Sequence, residues 1–92
     1  MRPEALAEAR EWLARSRRDL DASRRVFQDD EPLCDIAVYH AQQAAEKALK
    51  GFLAAHDRIF PKTHDLEPLV AACQEIDPAF GQFESAADTL TP

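Results

Sequence analysis

Four polar side chains, His40, Gln43, Lys47 and Lys50, follow one another at steps of +3, +4 and +3 residues. In a helix this spacing places an imidazole, an amide and two ammonium groups on one face. Such groups suit contacts with the phosphates or base edges of RNA or of a nucleotide. The row therefore predicts an RNA- or nucleotide-binding site. A solvated or interface face that binds no ligand remains the alternative.

His64 is a further candidate for the same contact, and with Arg58 it is the best approach to a catalytic pair in the chain. An Arg can stabilise a phosphorane while a His moves a proton, which is the chemistry of metal-free RNA cleavage. Pro61 separates the two residues in a predicted loop, so chance spacing is the simpler interpretation and no catalytic residue is assigned. His64 with Asp65 also resembles a pair of metal ligands, but with only three His in the chain we expect no metal and no cofactor.

Charge is distributed unevenly along the 92 residues. All 11 Lys and Arg, and 11 of the 17 acidic residues, precede residue 63, so the net charge of −6 comes entirely from residues 63–92. A protein that binds nucleic acid over its whole surface would be basic. We therefore expect only a local RNA contact, and an acidic C-terminal surface that suits a basic partner.

Cys34 and Cys73 follow no metal-ligand spacing and have no basic neighbour at helical spacing, so both are predicted to be reduced, apolar packing residues. The N-terminal residues lack the apolar segment of a secretion signal. No apolar segment approaches the roughly 20 residues that a membrane span needs. These observations predict a cytoplasmic protein without membrane contact.

Apolar periodicity and turn residues predict one all-α domain over residues 1–92, an up-and-down antiparallel bundle of four helices. The first two helices are predicted over Pro3–Phe27 and Leu33–His56. Thr63 is the expected N-cap of the third helix, and Asp77 followed by Pro78 is expected to begin the fourth. The inward-facing positions of the first and fourth helices are predicted to be Leu6, Ala9, Leu13, Ser16, Leu20, Ser23, Phe27, Phe80, Phe83, Ala87 and Leu90.

The segment YHAQQAAEKALKGFL (residues 39–53), followed by THDL (residues 63–66), resembles the HEPN domain family. That family typically has a long first helix, a second helix with Gln-Gln-Ala-x-Glu-Lys-x-x-Lys, and a His-x-Leu start to the third helix. The positions that match are Gln42, Gln43, Ala44, Glu46, Lys47, Lys50, Thr63, His64 and Leu66. The resemblance implies a helical bundle, usually homodimeric, that is often encoded beside a minimal nucleotidyltransferase as a toxin–antitoxin pair.

The resemblance also implies a departure. Family members usually continue into a closing helix, and the ribonuclease members carry an Arg-x(4–6)-His motif there or at the end of the fourth helix. No Arg or His follows His64 in the sequence, so that motif has no counterpart here and the closing helix is expected to be missing.

Three functions therefore stay open. The first is an RNA- or nucleotide-associated binding module that forms a homodimer and acts with a nucleotidyltransferase partner. The second is a ribonuclease toxin that cleaves RNA at a dimer interface, for which the expected motif is lacking. The third is a helical interaction scaffold that binds no ligand.

Overall fold

The computed structural model describes residues 2–90, and this part of the chain contains helices and connecting loops but no β-strand. Its elements are α1 (Pro3–Phe27), α2 (Cys34–Ala55), α3 (Leu66–Ile76), a 3₁₀ helix η1 (Pro78–Phe83) and α4 (Glu84–Leu90). α1 packs along α2, and α3 packs on α2 and contacts η1 and α4. The described chain measures 45 × 27 × 22 Å because the two long helices form an extended hairpin.

Small residues at seven-residue spacing bring α1 and α2 together. The hydroxyl of Ser16 donates to the carbonyl oxygen of Ala44, and that of Ser23 to the carbonyl oxygen of Ala37, each at 2.7 Å. Further along, a Cβ placed on Gly51 would lie 3.1 Å from the Cβ of Trp12. The small side chains therefore allow close contact between the two helices.

The end of α2 is capped without glycine. Asp57 has a φ of 56°, in the left-handed region, and its N–H donates to the carbonyl oxygen of Ala54. The next N–H, that of Arg58, donates to the carbonyl oxygen of Leu53, which completes a Schellman motif. Arg2 holds the Asp57 carboxylate at 2.5 Å, and its hydrogen bond and charge keep the pKa of Asp57 below the ordinary value.

The third and fourth helices begin differently from the sequence prediction. The N-cap of α3 is Asp65 and not Thr63, whose hydroxyl instead accepts a hydrogen bond of 3.0 Å from the N–H of Asp65. Asp77 does cap the next element, since its carboxylate accepts from the N–H of Ala79 at 3.0 Å. That element is the 3₁₀ helix η1, and α-helical geometry starts only at Glu84.

The core is small and lies mainly between α2 and α3. Its fully buried side chains are Leu53, Leu66, Leu69 and Cys73. The larger apolar residues of α1 contribute less than predicted, because α2 is the helix that packs along α1 and it covers only one side. Four predicted inward residues of α1 stay between one third and two thirds exposed: Leu6, Leu13, Leu20 and Phe27.

Two further packing predictions were wrong. Phe83, expected to face inward, is 46% exposed at the end of η1. Cys34, expected to be a packing residue, is exposed at the first position of α2, whereas Cys73 is buried as predicted. Both thiols are free, and burial raises the pKa of Cys73 to about 11.

Candidate functional site

The carboxylate of Asp19 on α1 holds two members of the polar row on α2. The Nδ1 of His40 lies 3.0 Å from one carboxylate oxygen, and the ammonium group of Lys47 binds the other. Burial disfavours the charged form of Asp19, but the hydrogen bonds from Lys47 and His40 outweigh it, so the pKa of Asp19 lies below its ordinary value. The three side chains are between 14% and 31% exposed, so this ion-pair cluster lies at the edge of the α1–α2 contact.

A second carboxylate, that of Glu46, holds two more of the candidates, Lys50 and His64. One oxygen lies 3.2 Å from the Nζ of Lys50, and the other lies 3.0 Å from the Nδ1 of His64. The Glu46 side chain is only 6% exposed, whereas the His64 side chain is 82% exposed. His64 therefore ties the segment before α3 to α2 while its ring remains accessible.

Two aromatic rings complete the surroundings of Lys50. Its Nζ lies 5.7 Å from the ring centroids of both Trp12 and Phe60, within the range of cation–π attraction. The two rings themselves meet edge to face at 5.8 Å. With a side chain only 11% exposed, Lys50 is enclosed by one carboxylate and two rings, so its ammonium group is poorly placed to reach an external phosphate.

Gln43 differs from its neighbours in the row. It is partly buried, and its side-chain amide makes no hydrogen bond within residues 2–90. An amide offers both donors and an acceptor, which is what a base edge requires. The row therefore presents one amide that is free of internal hydrogen bonds within residues 2–90, and this amide lies between two side chains that Asp19 holds in place.

Arg58 and His64 contact different carboxylates. Arg58 lies 3.7 Å from Glu75 on α3, while His64 is bound to Glu46 on α2. Both side chains are at least half exposed. The structure thus gives each residue a partner of its own, and no contact joins them into a pair.

Sequence reasoning missed the residues that organise the row: Asp19, Glu46 as a shared acceptor, and the rings of Trp12 and Phe60. One signal was present, because Asp19 is seven residues after Trp12 and so shares its side of α1. An acid at that position, beside the face that packs on another helix, indicates a buried ion pair. Periodicity could not tell which Lys it would bind.

The fold and these contacts define an all-α helical module whose second helix carries a polar row. Two carboxylates hold that row, the partly buried Asp19 and the buried Glu46. A family model, described as the HEPN domain, matches residues 9–92. The chain belongs to the HEPN domain family. No match to the chain was found among curated proteins or among solved structures.

Across residues 2–90, no helix combines the length and the apolar character that crossing a lipid bilayer would require.

Proposed function

We propose that this chain is a HEPN-type binding module that contacts RNA or a nucleotide through His40, Gln43, Lys47 and His64. The observation that supports the proposal is the position of the Gln43 amide, which makes no hydrogen bond to the described part of the chain and lies between His40 and Lys47. Asp19 orients these two neighbours. Orientation before binding lowers the entropy that a ligand contact costs. We further propose that the module acts as a homodimer with a nucleotidyltransferase partner, as the family resemblance implies.

The internal ion pairs limit the ligand that such a site favours. Asp19 neutralises Lys47, and Glu46 neutralises Lys50, so the row has little net positive charge. Recognition would then depend on hydrogen bonds to a base or a ribose more than on phosphate contacts. Lys50 has a positioning role in this proposal, since it holds Glu46, which in turn holds His64.

The test is binding of a labelled single-stranded RNA and of a labelled nucleotide, measured by fluorescence anisotropy over a series of salt concentrations. Lys47→Ala should weaken binding. If one phosphate contact is lost, the slope of the logarithm of the binding constant against the logarithm of the salt concentration should become shallower by about 0.7 for single-stranded RNA. Gln43→Ala should weaken binding without changing the slope, because an amide carries no charge.

Arg18→Ala is the matched control for Lys47→Ala. Arg18 is exposed on α1 and lies two residues beyond Ser16, which faces α2, so it lies on the far side of the helix. Its removal changes the net charge equally but should leave affinity unchanged. Equal losses for both variants would show that binding is nonspecific and would contradict the proposed site.

A specific observation favours a second candidate, the ligand-free scaffold. Both lysines of the row on α2 already have a carboxylate partner inside the chain. A protein that binds neither RNA nor nucleotide at low salt, but co-purifies with a nucleotidyltransferase, would support this candidate. RNA cleavage that is lost in His64→Ala would instead support the ribonuclease alternative.

A further inference from the structure

A line of exposed apolar side chains runs along α1. Leu6, Leu13, Leu20 and Phe27 recur every seven residues and are 39%, 52%, 36% and 64% exposed. We name these four residues the α1 stripe. Seven residues are close to two helical turns, so the four side chains lie on the same side of the helix. A contiguous apolar line of this kind is typical of an interaction surface.

The α1 stripe continues into an apolar groove with a volume of about 540 Å³. Leu13 belongs to both. The rest of the groove is formed by α2, α3, η1 and α4, and includes Phe52, Val70, Phe83 and Leu90. Every residue that lines it is apolar or glycine. The stripe and the groove therefore form one surface, with a ridge on α1 beside a depression.

Opposite charges border this surface. On α1, Arg10, Arg17 and Arg24 each follow a stripe leucine by four residues, so they lie beside the stripe. All three are exposed, and only Arg17 has an ion-pair partner within residues 2–90, namely Asp21. We name these three the arginine row.

The other border is acidic. Glu67, Glu84 and Asp88, which we name the acidic rim, lie on α3 and α4, and Glu67 and Glu84 line a depression that shares Val70 with the groove. A hydrogen bond and charge repulsion from Asp88 raise the pKa of Glu67. Two carboxylates that face each other in this way would gain from an added cation. Residues 63–92 contain no Lys or Arg that could supply it.

We propose that a second copy of this chain covers this surface, with the α1 stripe of each copy seated in the groove of the other and its arginine row facing the acidic rim. A two-fold axis makes such an exchange self-complementary, because each copy offers both halves. The inference rests on the proposed homodimer and adds the surface that forms it.

The size of the surface is adequate for this contact. From Leu6 to Phe27 the stripe is about 31 Å long at 1.5 Å per residue. With a width of roughly two helix diameters, about 20 Å, the surface covers on the order of 600 Å² per copy. Specific interfaces bury about 800 Å² per partner, with a wide range, so the contact is of the right order for a stable or reversible dimer.

The first experiment measures the molar mass of the full chain by light scattering over a concentration series. Leu13→Glu and Leu20→Glu should each weaken the dimer by ~10-fold or more, because a charge would be buried at the interface. Ile59→Glu is the matched control, since Ile59 is fully exposed in the α2–α3 connector and does not line the groove. Circular dichroism checks that each variant remains folded.

The second experiment exchanges the charges. The first variant, Arg10→Glu with Arg24→Glu, has acidic groups on both borders; the second, Glu67→Lys with Asp88→Lys, has basic groups on both. Each should be mainly monomeric alone because like charges would meet. A mixture of the two should form a heterodimer, detected by native mass spectrometry, because both contacts would then pair opposite charges.

The outcomes separate this inference from the proposed function. A dimer that survives Leu13→Glu and Leu20→Glu, or a mixture that forms no heterodimer, overturns the inference while leaving a homodimeric module intact. A chain that is monomeric at every concentration overturns both the inference and the proposed homodimer. The RNA-binding measurement does not depend on either result, because its variants lie on the polar row.

Discussion

Replacing Glu46 by Leu should destabilise the protein severely, because it leaves the ammonium group of Lys50 without its counter-ion. Removing one partner of a buried ion pair costs about 3–5 kcal/mol. The Lys50 side chain is 11% exposed and keeps its two aromatic neighbours, whose attraction amounts to roughly 1 kcal/mol each. We therefore expect a loss of about 2–4 kcal/mol in the free energy of unfolding.

A chain of this length should have a total stability of about 5–14 kcal/mol, so the loss is a large fraction of it. The melting temperature should fall by roughly 10–25 °C. Urea unfolding followed by far-UV circular dichroism gives the free energy by linear extrapolation. His64→Ala removes only the exposed partner of Glu46 and should cost about 1 kcal/mol or less.

The double variant Glu46→Leu with Lys50→Met provides the decisive comparison. Lys50→Met alone leaves a carboxylate that is only 6% exposed and should also cost about 2–4 kcal/mol. Replacing both partners by apolar side chains of similar volume should bring the total back to within about 1 kcal/mol of the unmodified chain. If the double variant loses the sum of the two single losses, the two residues do not act as a pair and the reasoning fails.

Three other measurements test separate features of the structure. Gly51→Ala should lower stability by about 1 kcal/mol, because the added Cβ meets the backbone and Cβ atoms of α1. Helix propensity alone predicts the opposite, a more stable protein. A more stable variant in urea unfolding would contradict the packing argument. The pKa of Asp19 is lower in the folded chain than in the unfolded chain, so its carboxylate stabilises the fold at pH values above the unfolded-state pKa near 4. This contribution is lost as the pH falls through the folded-state pKa. Asp19→Asn should therefore reduce stability at pH ~7 and make the free energy of unfolding depend less steeply on pH in acid titrations. A thiol reagent at mildly alkaline pH should label Cys34 quickly and Cys73 only after unfolding, since Cys73 is fully buried with a pKa of about 11; two fast thiols in the folded chain would refute this.

The sequence predicted the helical elements well where their signals are local. The bounds of α1 agree with the prediction, and those of α2 agree to within one residue. The start of α3 was placed wrongly because Thr63 and Asp65 are both good capping residues, and local preference cannot rank them. The 3₁₀ geometry of η1 was missed for a related reason, since Asp77-Pro78 begins either kind of helix.

The candidate site was predicted less completely. Helical spacing correctly placed His40 and Lys47 on one side of α2, since both reach the same carboxylate. It could not show that the rings of Trp12 and Phe60 lie beside Lys50, because those two residues come from other segments of the chain. The pairing of Lys50 with Glu46 is different, since the two residues are four apart on α2 and helical spacing could have indicated it. Long-range pairing of charges depends on which helices meet, and a single sequence gives little information about that.

The seven-residue spacing of the α1–α2 contacts has a consequence for how this hairpin can change in length. The residue numbers of the pairs Ser16 with Ala44 and Ser23 with Ala37 both sum to 60, and Ala9 with Gly51 continues the series. Inserting seven residues into each helix near the loop would therefore lengthen the hairpin by about 10 Å and preserve every existing contact. Inserting one residue between Ser16 and Ser23 would instead rotate the second serine by about 100° relative to the first, so the two could no longer both face α2. Homologous hairpins with this packing are accordingly expected to differ in length by paired heptads.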